Sequence, residues 1–163
     1  MQMSKYDAIL IIGPQGSGKG TQGKLLAGKL GFFYWEMGGI LREEAKKDTE
    51  FGIKVKAMIN QGQLVPDEDV IRTLDEALPE IIKHKRVVFD GITRRIGQTE
   101  YLVSFLKQNG FTQFATIVID VPHEESIKRL LLRAHHEFRT DDTPQKIKFR
   151  LQQYEQDTLP ARS

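Results

Sequence analysis

The chain has 163 residues, 39% of them hydrophobic and 28% charged, which suits one globular domain with a core of its own rather than a disordered chain. No apolar run approaches the roughly 20 residues that a membrane-spanning helix needs, and a net charge of +2 is too small to argue for a nucleic-acid partner. There is no cysteine, so disulfides and thiolate metal sites are excluded and a reducing cytoplasm is the expected setting.

In chain order, Ala8 to Ile12 is a bare apolar run of the kind found in a doubly buried parallel strand. Lys19 to Leu30 has helical spacing in Leu25, Leu26 and Leu30 and ends at Gly31, a natural C-cap. Phe33 to Trp35 reads as a second short strand, and its aromatics as strand packing rather than a base-stacking surface. Helical patterns follow around Ile40 to Lys47, Phe51 to Asn60 and Asp67 to Leu78, then a solvated basic turn, Lys83 to Arg86. Val87 to Phe89 forms another bare strand closed by Asp90-Gly91, and Gly97 to Gln108 a helix stopped by Asn109-Gly110. Phe114 to Val121 is the clearest strand, with a helix from His123 to about Ala134. A last helix begins near Pro144, a residue suited to a first turn. Strands separated by helices predict an α/β fold, a parallel sheet joined by right-handed crossovers.

The segment ILIIGPQGSGKGTQ, residues 9 to 22, places Gly13, Gly16, Gly18 and Gly20 around Lys19 between the first strand and the first helix. Glycine costs conformational entropy, so such a cluster needs a structural reason. Backbone N–H groups and a helix N-terminus converge on anions at this junction, and a lysine adds a mobile charge between phosphates. This is a P-loop with one departure: Gly20 sits where the strict pattern has a hydroxyl residue, and Thr21 follows one position later. Thr21 or Ser17 is the candidate hydroxyl near a magnesium ion.

The form G-P-Q-G-S-G-K-G-T-Q resembles the loop of adenylate kinases and related nucleoside monophosphate kinases, usually G-x-P-G-x-G-K-G-T-Q. That resemblance runs from about Ala8 to Pro160. WEMGGILR (Trp35 to Arg42) is similar to S-T-G-D-x-x-R, with Gly38 and Arg42 in place and Met37 and Gly39 standing for the threonine and aspartate. GQLVPDE (Gly62 to Glu68) is similar to the stretch lining the acceptor base, at Leu64 and Val65. DGITRRIGQ (Asp90 to Gln98) is similar to D-G-[FY]-P-R-T-x-x-Q, with Ile92 and Thr93 replacing the aromatic residue and the proline. RLLLR carries Arg129 and Arg133 one helical turn apart, RTDD (Arg139 to Asp142) matches R-x-D-D, and Arg150 matches a further phosphate-binding arginine.

The resemblance implies a P-loop parallel sheet with helices on both faces, a helical acceptor-binding subregion at about 36–66 and a short lid at about 134–140, within one kinase domain spanning 1–163. It implies ATP at Gly16, Ser17, Gly18, Lys19, Gly20, Thr21, Arg129 and Arg133. The acceptor falls to Gly38, Arg42, Leu64, Val65, Gly91, Arg94, Gln98, Arg139 and Arg150. Magnesium is implied near Thr21 and, through water, at Asp90. Lys19, Arg94, Arg133, Arg139 and Arg150 would neutralise charge in the transferring group. Phosphoryl transfer asks for in-line positioning and charge cancellation, which planar guanidinium groups supply.

Plainer readings stand beside these. Arginines on helices often only solvate a face, Asp141 and Asp142 suit helix-start capping with Thr143, and Asp90 suits a strand-end turn. His135, His136 and Glu137 are adjacent residues expected to point apart, which reads as lid contacts rather than a metal site. At the level of function, a nucleoside monophosphate kinase with AMP as default acceptor stands beside an ATP-binding regulator without turnover, a kinase of CMP or UMP, and a P-loop kinase of another small molecule. Relatives in this family continue past the Leu159-Pro160 station with further helix and strand. The expectation is therefore a monomer binding small nucleotides, with no nucleic acid or membrane partner, unless another copy covers a bare sheet edge, and with weakened ATP binding.

Overall fold

The computed structural model describes residues 5–92, 94–137 and 143–159. Its frame is a sheet of four strands, β1 (Ala8–Ile12), β2 (Phe33–Glu36), β3 (Val87–Asp90) and β4 (Phe114–Val118), all parallel in the order β2-β3-β1-β4. Parallel neighbours cannot be joined by a tight turn, so each step needs a crossover. The crossovers are α1 (Lys19–Leu30), then α2 (Met37–Glu44), α3 (Glu50–Gln61) and α4 (Asp67–His84), then α5 (Ile96–Gln108). After β4 come α6 (His123–Glu137), α7 (Pro144–Gln153) and a π-helical turn, Tyr154–Thr158. This is the α/β architecture that the alternation of elements predicts.

β1 and β3 are buried along their whole length, which explains their bare apolar sequences. Alternation divides their side chains between two faces. Ile9, Ile11 and Val88 meet Ala27 of α1 and Phe32 on one side. Ala8, Leu10, Val87 and Phe89 join Trp35 and the α4 and α5 residues Leu74, Ile81, Leu102 and Leu106 in the larger core on the other. A small third cluster, Leu130, Ile147 and Leu151, ties α6 to α7.

Three elements differ from the sequence expectation. The helix expected to stop at Leu78 runs on through Pro79 to His84. Proline removes one intrahelical hydrogen bond, but Val70, Leu74 and Ile81 all lie on the buried face, and that packing offsets the loss. The residues expected to form a basic turn are thus partly helical: Lys83 and His84 close α4, Lys85 caps it at φ 57°, and the His84 ring stacks on Phe33 at 4.4 Å. β4 ends at Val118 rather than Val121, because β1, its one strand partner among the described residues, turns into the glycine loop; the last ladder bond is Ile119 N–H to Ile12 O at 2.8 Å. α2 begins at Met37, directly after β2 and three residues earlier than its apolar pattern suggests. Among the described residues, no helix is long and apolar enough to cross a membrane.

Candidate active site

Parallel strands deliver their C-terminal ends to one side of the sheet, where α/β proteins place their ligands. β1 ends there in the glycine loop. Gly16 and Gly18 hold φ angles of 82° and 88°, a region that side chains disfavour, and a Cβ at Gly16 would lie 2.6 Å from the Ser126 carbonyl. Gly18 is the N-cap of α1 and offers no side chain to the first-turn N–H groups, which leaves them for an anion. Ser17 is buried beneath the loop with its hydroxyl oxygen unpartnered.

β2 and β3 end beside each other with Glu36 opposite Asp90 in the register. Because side chains alternate, Tyr34 and Glu36 share one face and Trp35 takes the other, packed edge-on against Phe89 at 5.8 Å. The Tyr34 hydroxyl donates to Asp90 Oδ2 at 2.8 Å, while Asp90 Oδ1 is buried without a hydrogen-bond partner. Gly20 faces this pair: a Cβ there would lie 3.5 Å from Asp90 Oδ2 and 3.7 Å from the Tyr34 oxygen. At those distances a Cβ would make only ordinary van der Waals contact, so this bond does not by itself require the glycine.

Lys19 lies between this acidic corner and a group of arginines. Burial pushes its ammonium down to about 8, Arg94 and Arg133 push the same way, and Asp90 and Glu36 only partly oppose them. Burial likewise depresses Arg94, with Arg150 and Arg42 adding to it. Cations that lose hydration and repel one another form a receptor for a polyanion. Lys19, Arg42, Arg94, Arg133 and Arg150 line one cleft enclosing about 1070 Å³ of space, open solvent included. The same cleft also has an apolar lining of Met37, Leu41, Ile59, Val65 and Val70.

The sequence-derived candidates fall into place unevenly. Lys19, Gly20, Gly38, Arg42, Leu64, Val65, Asp90, Gly91, Arg94, Gln98, Arg133 and Arg150 all line that cleft. Gly16, Ser17 and Gly18 belong to the glycine loop before α1 and are not among the residues lining the cleft. Arg129 stands beside the loop, its Nε donating to Glu125 Oε1 at 2.7 Å and its Nη1 to Ser17 O at 3.4 Å. Thr21 is exposed on the first turn of α1 and is not among the cleft-lining residues; the carboxylate of Asp90 is. Arg139, Asp141, Asp142 and Thr93 lie outside the described residues. His135 and His136 do not point apart as expected: their rings stack at 5.6 Å.

Gln98 is more constrained than its candidacy suggests. Its Oε1 accepts from the Arg94 N–H at 3.1 Å and its Nε2 donates to Asp67 Oδ1 at 2.8 Å, an oxygen that also takes Arg95 Nη1 at 2.9 Å. Thr158 Oγ1 donates to the Arg94 carbonyl at 3.0 Å, so the loop after β3 is held from two sides. Sequence reasoning missed Tyr34, Glu36, Asp67 and Thr158 as site residues. For Tyr34 and Glu36 a signal existed, polar atoms alternating with apolar residues in a short strand; for Asp67 and Thr158 the contacts are long-range and leave no local pattern.

Among the described residues no three His, Asp or Glu side chains gather as a metal site. A single carboxylate with an orphaned oxygen suits an ion that keeps most of its waters, as Mg²⁺ does.

A family model described as adenylate kinase matches residues 11–161. The chain is 37% identical over 158 residues to an adenylate kinase of Thermus thermophilus, covering 97% of this chain and 82% of that protein. It is 41% identical over 152 residues to one of Phocaeicola vulgatus, covering 93% and 80%, and 38% identical over 150 residues to one of Micrococcus luteus, covering 92% and 73%. With a glycine loop, a cationic cleft and an apolar pocket on one parallel sheet, and with relatives matched along nearly all of its length, the chain belongs to the adenylate kinase family.

Proposed function

We propose that this chain transfers the γ-phosphoryl group of ATP reversibly to AMP, with Mg²⁺ as the accompanying ion. The observation that carries this reading is the single cleft in which Lys19, Arg42, Arg94, Arg133 and Arg150 meet beside an apolar pocket. Two polyphosphates repel strongly once water leaves, so a site that joins them must supply positive charge from several directions. In this reading the glycine loop and Lys19 hold the donor phosphates, with Arg129 and Arg133 on the donor side. Arg42 holds the acceptor phosphate, and Leu64, Val65, Gly91 and Gln98 border its nucleoside. Arg94 and Arg150, between the two halves, steady the transferring group, joined by Arg139 from the lid at about 134–140. Mg²⁺ supplies charge neutralisation on the donor phosphates, and Asp90 would hold it through water. Guanidinium groups act here by position, since they neither give up nor take a proton.

The relatives named adenylate kinase support AMP as the acceptor. The departures at Met37 and Ile92 do not speak for a regulator without turnover: both side chains are buried in the main core, where they fill space rather than remove a charge. A chain without cysteine, phosphorylating nucleotides, fits a cytoplasmic setting.

The test is ADP formation from ATP with AMP, CMP, UMP, GMP and dTMP in turn. AMP is expected to give the highest kcat/KM. Lys19→Ala is expected to lose about 10²- to 10³-fold, the scale for removing one preorganised charge from a transition state. Retention of ATP with no monophosphate consumed would overturn the reading.

A further inference from the structure

One group in the acceptor half of the cleft is unexpected in a site for an anion. Glu36, the last residue of β2, lines the cleft with its carboxylate against Arg42: Arg42 Nη2 donates to Glu36 Oε1 at 2.9 Å. The two side chains are 38% and 27% exposed, Arg42 and Glu36 in that order. An ion pair that open to solvent adds little to stability, and its carboxylate repels an incoming phosphate. Its place therefore calls for another explanation.

The geometry supplies one. The pair bends back across the first turn of α2, over two residues that have no side chain. A Cβ at Gly38 would lie 3.1 Å from Arg42 Nη1 and 3.4 Å from Glu36 Oε1, and one at Gly39 would lie 3.5 Å from Glu36 Oε2. Position 39 is where the motif that this stretch resembles carries its aspartate. Here the carboxylate arrives beside that position from residue 36 instead. Glu36 also has a firm base, because the sheet register fixes its backbone beside Asp90. The contact engages one nitrogen of the guanidinium, and the other edge keeps donors for a ligand. Arginine has many rotamers, and a fixed partner removes the entropy of ordering it at the moment of binding.

We propose that Glu36 is a positioning residue, which holds the Arg42 guanidinium ready for the phosphate of the acceptor and takes over in space the carboxylate that the motif has at position 39. The inference rests on the reading that this cleft accepts a nucleoside monophosphate.

AMP is titrated calorimetrically into the unaltered protein, Glu36→Ala, Glu36→Gln and the double variant Glu36→Ala/Gly39→Asp, and AMP and ATP are varied in steady-state assays. Glu36→Ala is expected to weaken AMP binding and raise its KM roughly fivefold, the effect of about 1 kcal/mol of lost orientation, with kcat and the ATP KM within about twofold of the unaltered protein. Glu36→Gln, which keeps an acceptor oxygen, is expected to lose less, and Gly39→Asp to recover part of the loss. A merely structural role would move the ATP KM and the melting temperature along with the AMP terms. AMP binding that is unchanged or tighter in Glu36→Ala overturns the inference, tighter binding marking Glu36 as an internal competitor for Arg42; no recovery in the double variant overturns the exchange between positions 36 and 39. If the unaltered protein binds no AMP, the functional reading itself fails; if it binds AMP and Glu36→Ala binds it equally well, only this inference does.

Discussion

The Tyr34 hydroxyl donates a 2.8 Å hydrogen bond to Asp90 Oδ2 across 56 positions of sequence, tying the second strand to the end of the third at the mouth of the cleft. Burial, with the charge of Asp90 next, holds the phenol protonated far above its usual range, so it remains a donor at every working pH. One carboxylate oxygen is thereby committed to the protein and the other left without a partner.

Tyr34→Phe removes that donor and leaves both oxygens of a buried carboxylate unpaired. A loss of about 1–3 kcal/mol is expected, the range for a stranded buried acceptor. Urea denaturation measures it. A Mg²⁺ titration of the same variant is expected to show a higher half-saturating concentration, because Asp90 is no longer held in one orientation.

The lysine of the glycine loop makes activity sensitive to alkaline pH. Burial holds its folded value at about 8, below the usual 10.5 of a lysine. In the free protein the charged form is therefore lost as pH rises through about 8, and kcat/KM for ATP is expected to fall there. Bound phosphates favour the charged form, so kcat is expected to hold to higher pH than kcat/KM. The stability sign is the reverse of activity: between about 8 and 10.5 the unfolded chain binds the proton that the folded chain releases, so this group's contribution to stability rises with pH across that window. Rate profiles and denaturation at several pH values check the two halves.

Gly23→Ala improves helix propensity on paper, by up to about 1 kcal/mol. A Cβ at this buried position of α1 would nevertheless lie 2.8 Å from Tyr34 Cε2 and 3.0 Å from Ile11 Cδ1. The tyrosine ring must shift to admit it, and the Asp90 bond shifts with it. A net destabilisation of about 1–3 kcal/mol, the usual cost of overpacking, and a raised Mg²⁺ requirement are the expected results.

Asp67→Ala strands the Gln98 amide and the Arg95 guanidinium that share its Oδ1. Gln98, one of the two supports of the loop carrying Arg94, then loses its anchor. Stability is expected to fall by about 1–2 kcal/mol, and steady-state kinetics to show a raised AMP KM with a smaller change for ATP.

How much of this could be read in the chain itself is clearest from particular elements. Ala8–Ile12 and Val87–Phe89 are legible because a strand buried on both faces needs apolar residues throughout, and little else satisfies a run that short; the strand runs one residue further, to Asp90. The cap at Gly31 was legible because it needs a left-handed φ, which the structure has at 69°. At Pro79 in α4 a local rule about proline yields to core packing that no window of sequence displays. The apolar run of β4 is longer than the strand itself, because strand length depends on a partner elsewhere in the chain.

The sequence by itself determined the alternation of strands and helices, the glycine loop with its lysine, and the set of cations available to a phosphate, since each depends on backbone preference or on residue type at short range. Only the tertiary structure decided which cations meet, and that Tyr34, Glu36 and Asp67 set the orientation of Asp90, Arg42 and Gln98. Those contacts join strands and helices through register and packing, and the energy of a hydrogen bond depends on where the partner's atoms lie in space rather than on its place along the chain.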